Sequence, residues 1–260
     1  MRRSLAWKDR PVNQDLTRAH YERLAATYDE NWAYSPDFLE WMTACILARL
    51  RIGDGELVAD IGCGTGLYAR KLAGHAGAVV CVDASQAMLA QVPAEERLIT
   101  LAAKVEDVAS GRVPLPRVPV DAMLLKEVLH HAEDRPAVIA GLARLLRPGG
   151  RMLVVQLSAQ ISYPLFGEAL ELFISQQPDP ADIGAAMRAA GLAAELTYES
   201  FPLVFGTERY LQMVRNRYMS LLAYFDDERL EAGIAEIRRT HPGEKIMFAD
   251  TFAFVLGVAA

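Results

Sequence analysis

From Val58 to Gly66 the chain reads Val-Ala-Asp-Ile-Gly-Cys-Gly-Thr-Gly, an acid followed by three glycines at alternate positions. Residues without side chains, set between a strand and a helix, let the backbone approach a ligand closely, and the helix N-terminus favours negative charge. Asp83 closes the next apolar run, Val79-Val80-Cys81-Val82. At that place, across the crevice from the first turn, a carboxylate can accept both hydroxyls of a ribose. A tight turn with a capping acid would explain the glycines alone, but loop and acid in register favour a nucleoside. Its type follows from spacing. A dinucleotide fingerprint is GxGxxG, its third glycine making room beneath a pyrophosphate. Here Gly66 comes one residue early and Leu67 holds that position. Asp60 would repel a pyrophosphate yet could hold an amino group, so the loop reads as a site for a nucleoside bearing an amino acid.

A second set of reactive residues follows the fourth apolar run. His130 and His131 come just after Val120–Leu125. Imidazole titrates near neutrality, so either could serve as a base, although a ring there could equally cap a helix or bind a backbone carbonyl. Five histidines without an HxxxH spacing give no catalytic metal site. Substrate contacts are expected from Tyr163, Phe166 and Phe173 after the fifth strand, and from Arg215, Arg217, Tyr218 and Met219 further on. Tyr28 and Trp32 would contribute from the N-terminal segment. Arg215 and Arg217 cannot share one helical face, so at most one points inward, where it would suit a carboxylate or phosphate. The run Asp226-Asp227-Glu228-Arg229 reads more simply as a helix start whose acids complement the dipole.

The elements that must position these residues alternate. Residues 14–50 read as helical, with Asn13 or Asp15 as a cap and a second helix over 37–50. Strands are predicted at 56–61, 78–82, 97–102, 120–125 and 152–157, with helices at 67–73, 85–91 and 135–146. The last of these helices ends where Pro148, Gly149 and Gly150 forbid continuation. The strands are short apolar runs without alternation, as expected when both faces are buried. Further on, a helix at 181–190, a strand at 193–204, helices near 208–223 and 227–239 and a strand at 245–258 complete the chain. The fold class is α/β: a doubly wound, mostly parallel, Rossmann-like seven-stranded sheet with its last strand antiparallel. A helical cap comes from the N-terminus and from an insertion before that strand. The expected division is an N-terminal lid over 1–50, a cofactor core over 51–160, and the rest of the sheet with its cap, about 207–240, over 161–260, all one structural unit.

Composition narrows the partners. The 260 residues are 52% hydrophobic and 23% charged, which excludes a disordered chain. Twenty-seven basic residues against 33 acidic ones give a net charge of −6, so polymeric nucleic acid is not expected as a partner. Cys45, Cys63 and Cys81 are too few for a disulfide scaffold. The basic N-terminus has no apolar h-region, and no apolar run reaches the roughly 18 residues of a membrane span. A cytoplasmic protein without membrane or nucleic-acid partners, acting on a small molecule, is the expectation; oligomeric state is not readable.

In the order of its motifs the sequence resembles the class I S-adenosylmethionine-dependent methyltransferases, over about Tyr21 to Leu157. VADIGCGTG is similar to the family's first motif and VDASQAML to its ribose-binding second. Ala103–Asp107 is similar to the segment whose acid receives the adenine amino group. Asp121 with LLKEVLHHAED resembles the fourth strand and the loop past the reactive methyl, and LLRPGG the turn before strand five. YERLAATYD, Tyr21–Asp29, is similar to an N-terminal helix of the small-molecule, methyltransferase type 11/25-like branch. The resemblance implies S-adenosyl-L-methionine as cofactor and S-adenosyl-L-homocysteine as product. It implies that Gly62, Cys63, Gly64 and Gly66 contact the amino-acid and ribose portions and that Asp60 holds the ammonium. Asp83, with Ala84 and Met88, would serve the ribose side, Glu106 or Asp107 the adenine edge, Lys126 the methionine part through its backbone, and Tyr21 and Tyr28 the lid. The implied activity is methyl transfer to an O, N or C atom of a small metabolite. The alternatives are a cofactor-binding regulatory or scaffold subunit without turnover, and another transferase using the same cofactor.

Overall fold

The structure, a computed structural model, describes residues 14–29, 35–158, 161 and 163–260. Trp32 and Asn13 lie outside the described residues. Seven strands form one sheet: β1 Leu57–Ile61, β2 Ala78–Asp83, β3 Leu98–Ala102, β4 Val120–Lys126, β5 Leu146–Leu157, β6 Leu192–Gly206 and β7 Lys245–Ala259. Their order is β3-β2-β1-β4-β5-β7-β6. Six strands run parallel, and β7 lies antiparallel between β5 and β6. The chain order reverses between β1 and β4, and such a switch point opens a crevice at the strands' carboxyl ends.

Both faces are buried at the central strands β1, β2 and β4, as their unalternating sequences require. The edge strands β3 and β6 instead alternate buried or half-buried residues with exposed ones. Helix α1 Gln14–Leu24 packs on the turn Ser220–Tyr224. One core holds Val58, Cys81, Leu124, Val155 and Phe254 under the helices α2 Pro36–Leu50 and α3 Ala69–Ala73. The opposite core holds Ala59, Val80, Met123 and Val154. Its cover is built by α5 Val105–Ala109, α6 Arg135–Ala143 and α8 Pro180–Ala189, while α4 Gln86–Leu89 sits beside β2. The remaining helices, α7 Gly167–Gln176, α9 Thr207–Arg215 and α10 Asp227–Thr240, bury their apolar faces on the first core. Ser35 starts α2 by accepting a hydrogen bond from Phe38 N at 3.1 Å, a service few residue types can give at an N-cap. Among the described residues no helix is long and apolar enough to cross a membrane.

Three local expectations are corrected. The helix expected over 135–146 ends at Ala143 with Arg144 as its cap, before the Pro-Gly-Gly segment, which belongs to β5. Leu146 already pairs with Val120, and the ladder resumes at Ala122–Arg151 after a register shift, so the turn residues form an irregularity within a strand. The helix expected at 67–73 forms only over Ala69–Ala73, because the glycine loop runs on as turns. The helix expected near 208–223 stops at Arg215. Arg217 takes a left-handed conformation, φ 54°, and Ser220–Tyr224 is a separate 3-10 turn.

At the sheet's amino end, Asp121 accepts a hydrogen bond from Leu57 N at 2.7 Å and pairs with Arg147, while Glu56 pairs with Arg147 and Arg151. Asp121 therefore ties strands together at the end away from the crevice.

Candidate functional site

Gly62 N and Cys63 N both donate to Val82 O, at 2.7 and 2.9 Å, which folds the loop after β1 back over the end of β2. Asp83 fixes the same loop. One carboxylate oxygen accepts from Gly64 N at 2.9 Å and the other from Ser85 N at 2.8 Å. Burial raises the Asp83 pKa, and those backbone N–H groups work against the rise. Ser85 in turn caps α4 by accepting from Met88 N.

Above this floor lies a cavity of about 410 Å³, in the range of small-ligand sites. Gly62, Gly64, Asp83, Ala84 and Met88 line it, as do Glu106, Asp107, Lys126, Tyr21, Tyr28 and His131. Asp107 is engaged by Arg112, at 2.8 Å. A smaller cavity of about 80 Å³ shares the walls Tyr21, Tyr28, Gly62, Gly64, Lys126 and Glu127. It adds Asp60, Cys63 and His130 from the sheet edge and Phe173 and Met219 from the cap. The two volumes meet over the switch point, where loops after β1 and β4 face each other.

The N-terminal segment closes the top. Tyr21 Oη hydrogen-bonds His131 Nε2 at 3.0 Å, and its ring meets that of Tyr28 edge-on at 6.1 Å. Asp29 accepts from Thr65 of the glycine loop and from Arg70, the latter at 2.8 Å. The pattern Tyr21-x-x-x-Ala25-x-x-Tyr28-Asp29 thus places two rings on the cavity, a buried Ala25 beneath and a carboxylate latch on the loop.

The charges at the seam are shifted by their surroundings. Burial, then the nearby Asp83 charge, raise Asp60 to about 7, against opposing effects of Lys126 and the Ala69 N–H. Burial also raises Glu127 and lowers Lys126. His130 lies well below the ordinary imidazole value and His131 falls to about 4, both through desolvation, so both rings are neutral at pH 7. The His130 ring faces the small cavity with Nδ1 3.8 Å from Glu127 Oε2, whereas the His131 ring is tied to Tyr21 on the large one. The neighbouring Cys81 thiol and burial push the Cys63 thiol far up, which leaves it protonated.

Several expected contacts do not reach either cavity. Gly66 packs against Val92, with space for a Cβ only 3.1 Å from Val92 Cγ2. Tyr163 is buried and donates to Asp250 at 3.0 Å. Phe166 stacks edge-on against Phe225 at 4.9 Å and covers Gly233. Tyr218 is buried with its hydroxyl 3.2 Å from that of Tyr210. Arg215 forms an exposed pair with Glu231, and Arg217 pairs with Asp227 and donates to Phe225 O. Neither arginine turns inward, because each finds an acid on or beside α10.

Other residues complete the walls without having been singled out from sequence. Glu127 lines both cavities in a left-handed conformation, φ 55°, and accepts a hydrogen bond from Leu157 N across β5. Tyr68, Gln176, Gln177, Ser220 and Leu221 line the small cavity. Among the described residues Tyr68 Oη, Gln176 Nε2 and Gln177 Oε1 are buried without a hydrogen-bond partner, and such atoms are costly unless something in the cavity pairs with them.

Likeness to known proteins points the same way as this geometry. Residues 59–154 match the family described as "Methyltransferase domain". A ubiquinone biosynthesis O-methyltransferase of Xylella fastidiosa is 28% identical over 154 residues, covering 54% of this chain and 62% of that protein. A demethylmenaquinone methyltransferase of Tropheryma whipplei is 32% identical over 145 residues, 54% of this chain and 59% of that one. The chain therefore spans about three fifths of these curated relatives. Among solved structures, the YcgJ protein of Bacillus subtilis superposes with a TM-score of 0.62 at 17% identity, over 85% of this chain and 98% of that one. Phosphoethanolamine N-methyltransferase 2 of Haemonchus contortus, solved with S-adenosylhomocysteine, gives 0.58 at 19% identity, over 94% of this chain and 60% of that one. These two share the fold.

Proposed function

We propose that this chain, a member of the class I S-adenosylmethionine-dependent methyltransferases, transfers a methyl group from S-adenosyl-L-methionine to an O, N or C atom of a small molecule. The observation that carries the reading is the pair of joined cavities at the switch point, one walled by Asp83 and the acids of α5, the other by Asp60 and the unpartnered polar atoms. The residues fit the cofactor. Gly62 and Gly64 leave backbone open to a ribose and amino-acid chain, Asp83 keeps acceptor capacity beyond its two backbone partners, and Asp60 offers a carboxylate for an ammonium. Glu106 and Asp107 stand at the adenine end.

Bound there, S-adenosylmethionine supplies a methyl group on a sulfonium, open to in-line displacement. The protein's share is alignment and exclusion of water, which matter most when no covalent intermediate is needed. Tyr21, Tyr28 and the Asp29 latch shut the site from above. An oxygen or nitrogen acceptor that must lose a proton would find His130 at the small cavity, neutral and therefore able to accept it, with Glu127 nearby to favour the resulting imidazolium. His131 is the weaker candidate because its Nε2 is occupied by Tyr21. Mass spectrometry of a panel of hydroxylated and amino metabolites after incubation with the cofactor is expected to show a gain of one methyl group. His130→Gln should then lower kcat with little change in affinity for S-adenosylhomocysteine. Unmethylated products throughout, with the cofactor bound, would favour a binding subunit without turnover.

Binding should also depend on pH. The Asp60 pKa near 7 belongs to the free protein; an incoming ammonium stabilises the ionised form and pulls that value down. Below about pH 7 a proton must therefore leave before binding, so affinity for S-adenosylhomocysteine should fall as pH drops from 8 to 5.5. The limiting slope is about tenfold per pH unit. Asp83 and Lys126 face the same carboxylate and set the midpoint, and Asp60→Asn should flatten the profile. Calorimetry across that range tests it; a flat wild-type profile refutes the role of Asp60.

A further inference from the structure

The Lys126 side chain has no place in the chemistry above, yet it stands where both cavities join. In the β1–β4 ladder Asp60 is opposite Leu124 and Ile61 opposite Leu125, which sets Lys126 across from Gly62. Lys126 shares a sheet face with Leu124, and Asp60 with Val58, both on the first core, so the two side chains project to the same side. The ammonium lies 5.2 Å from the Tyr68 ring centroid and 5.4 Å from that of Phe252. Among the described residues it has no carboxylate oxygen within the 4.0 Å of an ion pair, and its Nζ donates no hydrogen bond. Glu127, Asp250 and Asp60 act on it only from farther away. A cation removed from water without an anion or acceptor in contact is costly, and aromatic faces offset only part of that cost.

The cavity side is where the missing anion can come from. An α-amino acid presents an ammonium and a carboxylate on one carbon, and it needs an acid and a base set side by side to hold it. Asp60 and Lys126 are on neighbouring strands, two residues apart along them, a backbone separation on the order of 8 Å. That gap suits one small zwitterion between two side chains. Asp60, Asp83 and Glu127 line the joined cavities beside Lys126. A ligand end with one ammonium and one carboxylate gives Asp60 and Lys126 one opposite charge each.

We propose that Lys126 Nζ binds the α-carboxylate of the cofactor's amino-acid end, as the counterpart of Asp60 at its ammonium. This rests on the proposed cofactor and assigns to the lysine side chain a contact that the glycine loop does not make. It predicts that the site discriminates by the carboxylate alone.

The test compares S-adenosylhomocysteine with its analogue lacking only the carboxylate, by calorimetry on the full chain at pH 7.5. The wild-type protein should prefer S-adenosylhomocysteine by about 10- to 100-fold, the span of one charge-assisted contact. Lys126→Met should erase that preference, weakening S-adenosylhomocysteine and leaving the analogue within about threefold, while Lys126→Arg keeps part of it. Equal wild-type affinity for both ligands overturns the proposal without any variant being made. So does a Lys126→Met protein in which both ligands weaken alike, which would mark a structural lysine, or in which neither does. A wild-type protein that binds neither ligand overturns the cofactor reading itself, a result distinct from binding both equally.

Discussion

Asp83→Ala is expected to weaken S-adenosylhomocysteine binding by about a hundredfold or more while leaving the protein folded. The carboxylate has two duties. It holds Gly64 N and Ser85 N at 2.9 and 2.8 Å, and its remaining lone pairs face the cavity where a ribose would lie. Two hydroxyl contacts to a charged acceptor are worth about 1.5–3 kcal/mol each, so losing both costs about 3–6 kcal/mol, or some two to four powers of ten. Asp83→Asn separates the duties. Its amide oxygen can keep one backbone N–H, but its NH2 group donates where a lone pair was needed, so an intermediate loss of about tenfold or more should result. The sheet should persist in both variants, since the core beneath Asp83 is formed by Val80 and Val82 with their neighbours on β1 and β3. Calorimetry paired with thermal unfolding reads the two effects apart. Affinity within threefold of wild type for Asp83→Ala would refute a nucleoside site at this position.

The parts of the site that sequence predicted are those fixed by neighbours in the chain. Asp60, Gly62, Gly64 and Asp83 sit at strand ends or in the turn after one, so an apolar run followed by a turn already places them at the sheet's carboxyl edge. Tyr21 and Tyr28 follow helical spacing and reach the cavity together, while Asp29 beside them is held by Thr65 and Arg70. Of the aromatic residues after strand five, Phe173 reaches the small cavity, whereas Tyr163 and Phe166 misled for the converse reason. Whether Tyr163 faces a ligand or the core depends on Asp250, which arrives on β7, and Phe166 is held by Phe225 and Gly233 of the cap. Arg215 and Arg217 turn outward because α10 offers Glu231 and Asp227. No local pattern encodes such partners. Glu127 was hidden differently: in Lys-Glu-Val-Leu it resembles a solvated charge, and only its left-handed backbone turns it between the cavities. Gln176 and Gln177 end α7, a helix not expected from the sequence, and join the small cavity through the packing of the cap.

Gly62→Ala should be the most damaging single-methyl change in the loop, and a second substitution can show why. Gly62 has φ 72°, and a Cβ built on it falls 2.3 Å from Val128 Cγ2 and 3.3 Å from Cγ1. The left-handed backbone costs an alanine about 1–2 kcal/mol, and the overlap adds about 1–3 kcal/mol of overpacking. Relief by rotating the loop is blocked, because Gly62 N is committed to Val82 O at 2.7 Å and its neighbour Cys63 N to the same oxygen. The sum, about 2–5 kcal/mol, should lower Tm by roughly 5–15 °C for a chain of this size. Binding should suffer as well, since Val128 lines the large cavity and is the residue that must give way. Val128→Ala alone removes buried apolar atoms and should cost about 1–2 kcal/mol. In the double variant the overlap disappears while the backbone cost stays. The two changes together should therefore be less destabilising than their sum by about 1–3 kcal/mol, the part due to contact between the glycine loop and Val128 in the loop after β4. Denaturant unfolding of the four proteins measures that coupling. Additivity within about 0.5 kcal/mol would mean that the glycine is needed for its dihedral angle alone and that the loop does not press against Val128.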